Sequence, residues 1–310
     1  MTYASGGLIQ ASDFNTFNGP STGSAASVNQ VWATGNGDCG YGQSSPGANV
    51  SVGGTVAATD WATLINHLNT IYSHQAGSTS GISAPTAGST ISYLSTLNSS
   101  ISTAYTNRLN YTGSGSGTTT TSAKTVNIVA SAGAAGSGSI SWTIAWPSVD
   151  QARYFFNAGG NYYIFFSSFT NTGGTSRGSS ILTLAQTNYN SKRVYSHTMG
   201  ARAGTGGTVN TDTTNAGYYE ITGSATDYCK ITSSGYYSGD YVSLTINNSG
   251  GAGSYGGNGS SHVISFNAYS STTGSTQPSD SIDVTLGMTL ALVYPNTTYL
   301  SASWGTATIT

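Results

Sequence analysis

The hydrophobic period of this chain changes once, and the change falls in a stretch with no period of its own. Residues 112–122, TGSGSGTTTTS, are small and polar throughout. Such a run has nothing to bury, so it reads as a linker and a domain boundary. Before it, apolar residues step by 3, 4 and 3: Trp61, Leu64, Leu68 and Ile71, then Leu94, Leu97, Ile101 and Ala104. That is one face of a helix. After it they alternate, as in residues 139–146, where Ile140, Trp142, Ile144 and Trp146 share a face. The pattern predicts an α+β fold, mainly β. A helical hairpin region over residues 1–111 is followed by a linker over 112–123 and an antiparallel β-sandwich over 124–310.

The first long helix is bounded by Thr59 as cap, Asp60 in its first turn and Gly77 as its stop. A second spans 90–111, and a loop over 78–88 joins the two as a helical hairpin. A short helix begins at Ser12 and Asp13 and stops at Gly19, with Phe14 and Phe17 on one face. Residues 28–58 read as small extended pieces around a Gly-rich loop carrying Asp38, Cys39 and Tyr41. Apart from its stripe, the second helix is Ser, Thr and Asn, which favour helix poorly, so its apolar face must be packed against something. Phe14, Phe17, Trp61, Leu64, Leu68, Ile71, Leu94, Leu97 and Ile101 are therefore the candidate docking and oligomer residues. Ordinary packing within one chain is the competing reading of the same stripe.

Residues 151–170, QARYFFNAGGNYYIFFSSFT, are the most aromatic stretch. Two aromatic runs around Asn-Ala-Gly-Gly-Asn predict a central β-hairpin, because Gly and Asn accept the positive φ of tight turns. Further strands are expected over 125–129, 192–197, 217–222, 228–232, 241–246, 262–269, 281–294 and 298–309. Residues 179–189 lean toward a short helix.

Charged residues make up 6% of the 310 and the net charge is -2, so there is no basic footprint for nucleic acid. No stretch approaches the roughly 20 apolar residues of a membrane helix. MTYASGGLIQ lacks a basic n-region followed by an apolar core, and no signal peptide is expected. Cys39 and Cys229 lie far apart without metal spacing and read as unpaired buried thiols, with a disulfide as the weaker alternative.

The chemistry-bearing residues form no convincing set. Glycan cleavage needs two carboxylates across a cleft. Glu220, Asp150, Asp212, Asp227, Asp240, Asp280 and Asp283 read instead as turn and strand-end acids bonding local backbone. His67 and His74 lie seven apart on one helix and read as polar rim residues. His197 and His262 have no partner set. Gly251 to Gly256 fits G-x-G-x-x-G, but a strand follows it, so it reads as a long hairpin loop. Tyr236, Tyr237 and Tyr255, with Tyr269, are candidates for stacking on sugars, against the plainer reading as core tyrosines. No catalytic residue, cofactor or metal is expected.

Several segments carry a family resemblance: GGLIQASDFN (6–15), VWATGNGDCGYGQ (31–43), VAATDWATLIN (56–66), ARYFFNAGG (152–160), GYYEIT (217–222) and DYV (240–242). Together they resemble virion structural proteins of tailed, cyanophage-like bacteriophages. The resemblance implies a tail component, whether fibre, baseplate or neck appendage. It implies other tail proteins as partners, a homo-oligomer with a trimer favoured, a virion location after synthesis in the host cytoplasm, and a host surface glycan as candidate contact. It carries over no catalytic residue, and no enzyme is expected. A polysaccharide-degrading tail enzyme or a carbohydrate-binding module is the alternative.

Overall fold

A computed structural model describes residues 10–19, 26–33, 35, 37–112, 119–188, 192–195, 208–212, 215–221, 223–249, 259–272 and 280–310. The chain divides into two compact units. Unit 1 comprises Met1–Gly117, Asp150–Gly160 and Tyr294–Gly305. Unit 2 comprises Thr118–Val149, Asn161–Val293 and Thr306–Thr310. The first boundary falls inside the low-complexity stretch. Two segments placed by sequence in the sandwich, 150–160 and 294–305, belong instead to unit 1.

Unit 1 is helical. Helix α1 (Ala11–Asn18) and helix α3 (Ala58–Ala76) start alike. The Asp13 carboxylate accepts the Gln10 N–H at 3.0 Å, and the Asp60 carboxylate accepts the Ala57 N–H at 2.8 Å. Each acid stands three residues past its cap, where it satisfies a donor the helix leaves open. The start of α3 therefore lies two residues before the expected Thr59 cap. Helix α2 (Val28–Trp32) replaces an expected extended piece, and residues 50–56 form no strand. Val28, Asn29, Gln30 and Val31 are all buried, so no one-sided apolar period marks this short helix in the sequence. Helix α4 (Leu94–Thr106) is shorter than the expected 90–111. Helices α2, α3 and α4 pack on one another, and Phe14 of α1 meets Trp61 edge-on at 5.1 Å.

The predicted hairpin over 151–170 is corrected most. Its first arm is helix α5 (Val149–Asn157), and only its second arm is a strand, β3 (Asn161–Asn171). Asn157-Ala-Gly-Gly ends a helix here. The Gly159 N–H donates to Phe156 O at 3.1 Å and the Gly160 N–H to Phe155 O at 2.8 Å. Gly159 has φ +97, and a Cβ there would lie 2.6 Å from the Tyr111 ring. Only glycine fits both demands. Helix α5 is held in unit 1 by Arg153, which donates to Gly37 O at 2.6 Å, and by Asn157, which donates to Cys39 O and Gly40 O. The 294–305 segment, expected to contain much of a last strand, is a loop. It is knitted to Gln43 by reciprocal bonds with Ser301 and buries Leu300 and Trp304.

Unit 2 is the expected antiparallel sandwich. Its remaining strands are β1 (Thr119–Ala130), β2 (Gly136–Ala145), β4 (Lys192–Tyr195), β5 (Thr208–Asp212), β6 (Asn215–Gly217), β7 (Thr226–Thr232), β8 (Tyr241–Asn248), β9 (Ser261–Ser270), β10 (Ile282–Val293) and β11 (Thr308–Ile309). One sheet runs β1-β10-β3-β4-β6 and the other β11-β2-β9-β8-β7-β5, with β4–β6 the parallel pair. Residues 218–220, expected as strand, form a short 3-10 turn. Helix α6 (Ser176–Asn188) confirms the leaning for 179–189 and packs on β3, β10 and β8. Inward residues alternate: Ile264, Phe266 and Ala268 on β9, and Val284, Leu286 and Met288 on β10. Phe166 meets Phe266 edge-on at 5.6 Å between the sheets. Where β2 passes β1, a Cβ on Gly138 would come within 2.6 Å of Asn127 O, so a side chain there would push the two strands apart.

Candidate functional site

The candidate docking stripe is inside unit 1. Phe14, Phe17, Trp61, Leu64, Leu68, Ile71, Leu97 and Ile101 are all buried, and Leu94 is half-buried. They cover one another across α1, α3 and α4, which is the intrachain reading of the stripe. The two helix histidines are also not on a rim. His74 is buried with its ring edge-on to Tyr41 at 5.0 Å, and burial lowers its pKa to about 4. His67 stacks on Trp32 at 4.4 Å and is likewise lowered by burial. Beside them Arg108 grips Asp38 through two nitrogens, at 3.2 and 2.5 Å, and its guanidinium lies 4.7 Å over the Tyr105 ring. Both cysteines are buried free thiols, and burial raises the Cys39 pKa.

A cavity of about 340 Å³ opens in unit 1 between the 54–56 turn and the 85–91 loop. Val56, Trp61, Pro85 and Ile91 supply its apolar wall, and Thr55, Thr86 and Ser89 its polar one. None of these side chains titrates near neutral pH, so the cavity offers no general acid or base.

In unit 2 the polar residues gather where β8 begins and β9 ends. Arg177, on α6, is buried and donates to Ser270 Oγ at 2.7 Å and to the carbonyls of Ser270, Ser271 and Asp280. Ser270 Oγ donates on to Asp240 Oδ1 at 3.0 Å, which also accepts the Ser271 N–H at 2.8 Å. Asp240 is 0% exposed, and Oδ2 has no partner among the described residues. Burial raises its pKa, opposed by those two hydrogen bonds and by the Arg177 charge. Sequence reading took Asp240 for a strand-start acid, and it does open β8; the buried arginine facing it left no local signal.

The turn leading into β8 carries two of the candidate tyrosines. Tyr236 is 66% exposed. Tyr237 is half-buried and donates to Asp280 Oδ2 at 2.8 Å. Tyr255, His197 and the Gly251–Gly256 loop lie outside the described residues. Tyr269 lies on the outer face of β9, directly across from Tyr241 on β8, their rings stacked at 5.3 Å and 29°. Lys230, on β7, places its ammonium 4.8 Å from the Tyr241 ring centre. The register continues this face with Ser137, Ser139 and Ser141 on β2, Ser265 and Asn267 on β9, and Ser243 and Thr245 on β8. The outcome is a row of hydroxyls and amides crossed by one column of lysine and two tyrosines. Tyr241 was missed as a site residue because the pairing that brings it to Tyr269 spans a hairpin. Comparison with family models, with curated proteins and with solved structures finds no match, so the functional reading rests on these residues.

Proposed function

We propose that this chain is a structural protein of the tail of a tailed-bacteriophage virion. It joins other tail proteins as a homo-oligomer, with a trimer favoured, and turns its sandwich toward the host surface. The supporting observation is the disposition of charge. Arg108 is spent on Asp38, Arg153 on Asp150, and Arg177 on a nest of carbonyls. The outer strand faces carry mainly Ser, Thr and Asn, with Lys230, Tyr241 and Tyr269 among them. Such a surface neither attracts phosphate backbones nor depends on salt, as suits a part held in a particle outside the cell. The segment resemblances point the same way.

A polysaccharide-cleaving tail enzyme is the less favoured reading. It needs an acid that reaches a glycosidic oxygen, and Asp240, the described carboxyl with a raised pKa, is fully enclosed. The test is mass in solution. Light scattering on the purified chain should give a closed multiple of 31.5 kDa. A monomer at the highest soluble concentration overturns the assembly reading.

A further inference from the structure

We infer that Asp240 is an acid-operated clasp in unit 2: a proton taken up on Oδ2 tightens the corner where α6, β8 and β9 meet. The inference is independent of the tail reading, because it concerns how this corner answers protons and not what the chain joins. Three features of the corner carry it.

The first is what Asp240 ties together. Its main chain closes the turn over 233–240: Asp240 O accepts the Ser233 N–H at 2.7 Å, and the Asp240 N–H donates to Tyr237 O at 2.8 Å. Its side chain reaches the end of β9, where Oδ1 accepts Ser270 Oγ and the Ser271 N–H. One residue therefore fastens the turn that exposes Tyr236 to the neighbouring strand.

The second is that the carboxyl is enclosed without a direct ion pair. Asp240 is 0% exposed, and Oδ2 has no partner among the described residues. Arg177 is the cation on this side, yet its bonds go to Ser270 Oγ and to the carbonyls of Ser270, Ser271 and Asp280. Ser270 Oγ stands between the guanidinium and the carboxyl. A buried charge with one oxygen unmet is strongly disfavoured, and a carboxyl escapes that penalty by taking up a proton. Burial accordingly raises its pKa, against the bonds from Ser271 and Ser270 and the charge of Arg177.

The third is the company it keeps. Arg177 faces Asp240 from α6. Tyr237 faces it from the turn, and Asp280, ahead of β10, accepts the Tyr237 hydroxyl. Tyr241 and Tyr269, next to Asp240 and Ser270 in sequence, lie on the opposite face of the sheet. A guanidinium keeps its charge throughout the acid range. Burial and the Asp280 carboxylate push the Tyr237 hydroxyl further up, away from that range. The carboxyls are what acid can change here, and Asp240 is the enclosed one. The folded chain binds its proton at a higher pH than the unfolded chain does. Acidification through the folded group's titration, toward the ordinary 3.8, therefore stabilises the corner. His74 in unit 1 has the opposite sign, since burial there lowers the pKa and makes acid destabilising.

The test compares the full-length chain with Asp240→Asn, which keeps an acceptor for Ser270 and Ser271 and cannot titrate. Amide exchange is read by mass spectrometry on peptides covering 226–248 and 261–271, at pH 7 and pH 4. Comparing the two proteins at the same pH cancels intrinsic exchange rates. Protection in the parent relative to the variant should rise on acidification, by a factor of about ten for each pH unit that the folded carboxyl titrates above 3.8. A carbon-13 titration of the Asp240 carboxyl in the parent, assigned through its own backbone amide, gives a second measurement that does not need the variant to fold. Its midpoint should lie above 3.8. Relative protection that is equal at both pH values overturns the inference, as does an Asp240 midpoint at or below the ordinary value.

Discussion

Replacing His74 with phenylalanine should flatten the acid sensitivity of unit 1. His74 is buried on α3, edge-on to Tyr41, with Nε2 unpartnered. Its pKa falls from 6.5 to about 4, so the folded chain keeps the ring neutral where the unfolded chain protonates it. The sign follows from proton counts. Between pH 6.5 and about 4 the unfolded state binds the extra proton, so stability drops as pH falls through that window. At pH 7 both states are neutral and the group contributes no pH dependence. Full protonation of the unfolded state costs about 3 kcal/mol, from 1.36 kcal/mol per pKa unit. Phenylalanine has a ring of similar size and no proton, and it also removes a buried nitrogen without a partner. Urea unfolding of the parent and of His74→Phe at pH 7 and pH 4 measures the effect. The loss on acidification should be about 3 kcal/mol smaller in the variant. Carboxylates titrate in both proteins and cancel in that comparison. Equal losses in the two proteins would refute the claim that burial holds this histidine neutral.

Two further outcomes follow from the packing. Arg177→Met leaves Asp240 buried without its facing charge and should cost about 3–5 kcal/mol, read as a lower urea midpoint; an unchanged midpoint would mean that the network is not stabilising. Residues 118–310 expressed alone should aggregate on gel filtration, because they include the 150–160 and 294–305 segments without the rest of unit 1. In the whole chain Phe155, Phe156 and Trp304 are buried. A monodisperse soluble fragment would show that those segments do not need unit 1.

The parts of the fold that could be read from sequence are those whose signals are local. Asp13 and Asp60 mark first turns, although the caps they serve, Gln10 and Ala57, lie two residues before the Ser12 and Thr59 that the sequence suggests; the 3-4-3 stripes of α3 and α4 need no tertiary knowledge. Strand β2 declared itself by alternating Trp142, Ile144 and Trp146 with small polar residues. Helix α5 was misread because Tyr154, Phe155 and Phe156 carry strand propensity, and propensity yields to burial. Its own signals were present: Ser148 followed three residues later by Gln151, Asp150 in the first turn, and two glycines at the end. The last segment failed differently. Leu300 and Trp304 look like strand residues, yet they are buried in a loop whose Ser301 is bonded to Gln43, a contact spanning most of the chain. The site divides along the same line. Tyr269 was reached by composition, whereas Tyr241 and Lys230 join it only through strand pairing.

The burial of the helical stripe shifts where joining between copies has to be sought. Unit 1 uses its apolar ridges on itself, so an assembly of this chain cannot rely on them as a coiled-coil seam. What remains outward is mostly hydroxyl and amide, with Val52, Val129, Tyr236 and Tyr299 the large apolar side chains exposed among the described residues. Strand β1 stands at one end of its sheet, paired along its 12 residues with β10. Its outward positions Thr121, Ala123, Thr125, Asn127 and Val129 are exposed. A strand end of that length presents backbone donors and acceptors in a fixed row, part of which β2 already approaches, with Lys124 donating to Ser141 O. Contacts of this kind gain specificity from register and little from charge, so their strength should barely change with salt.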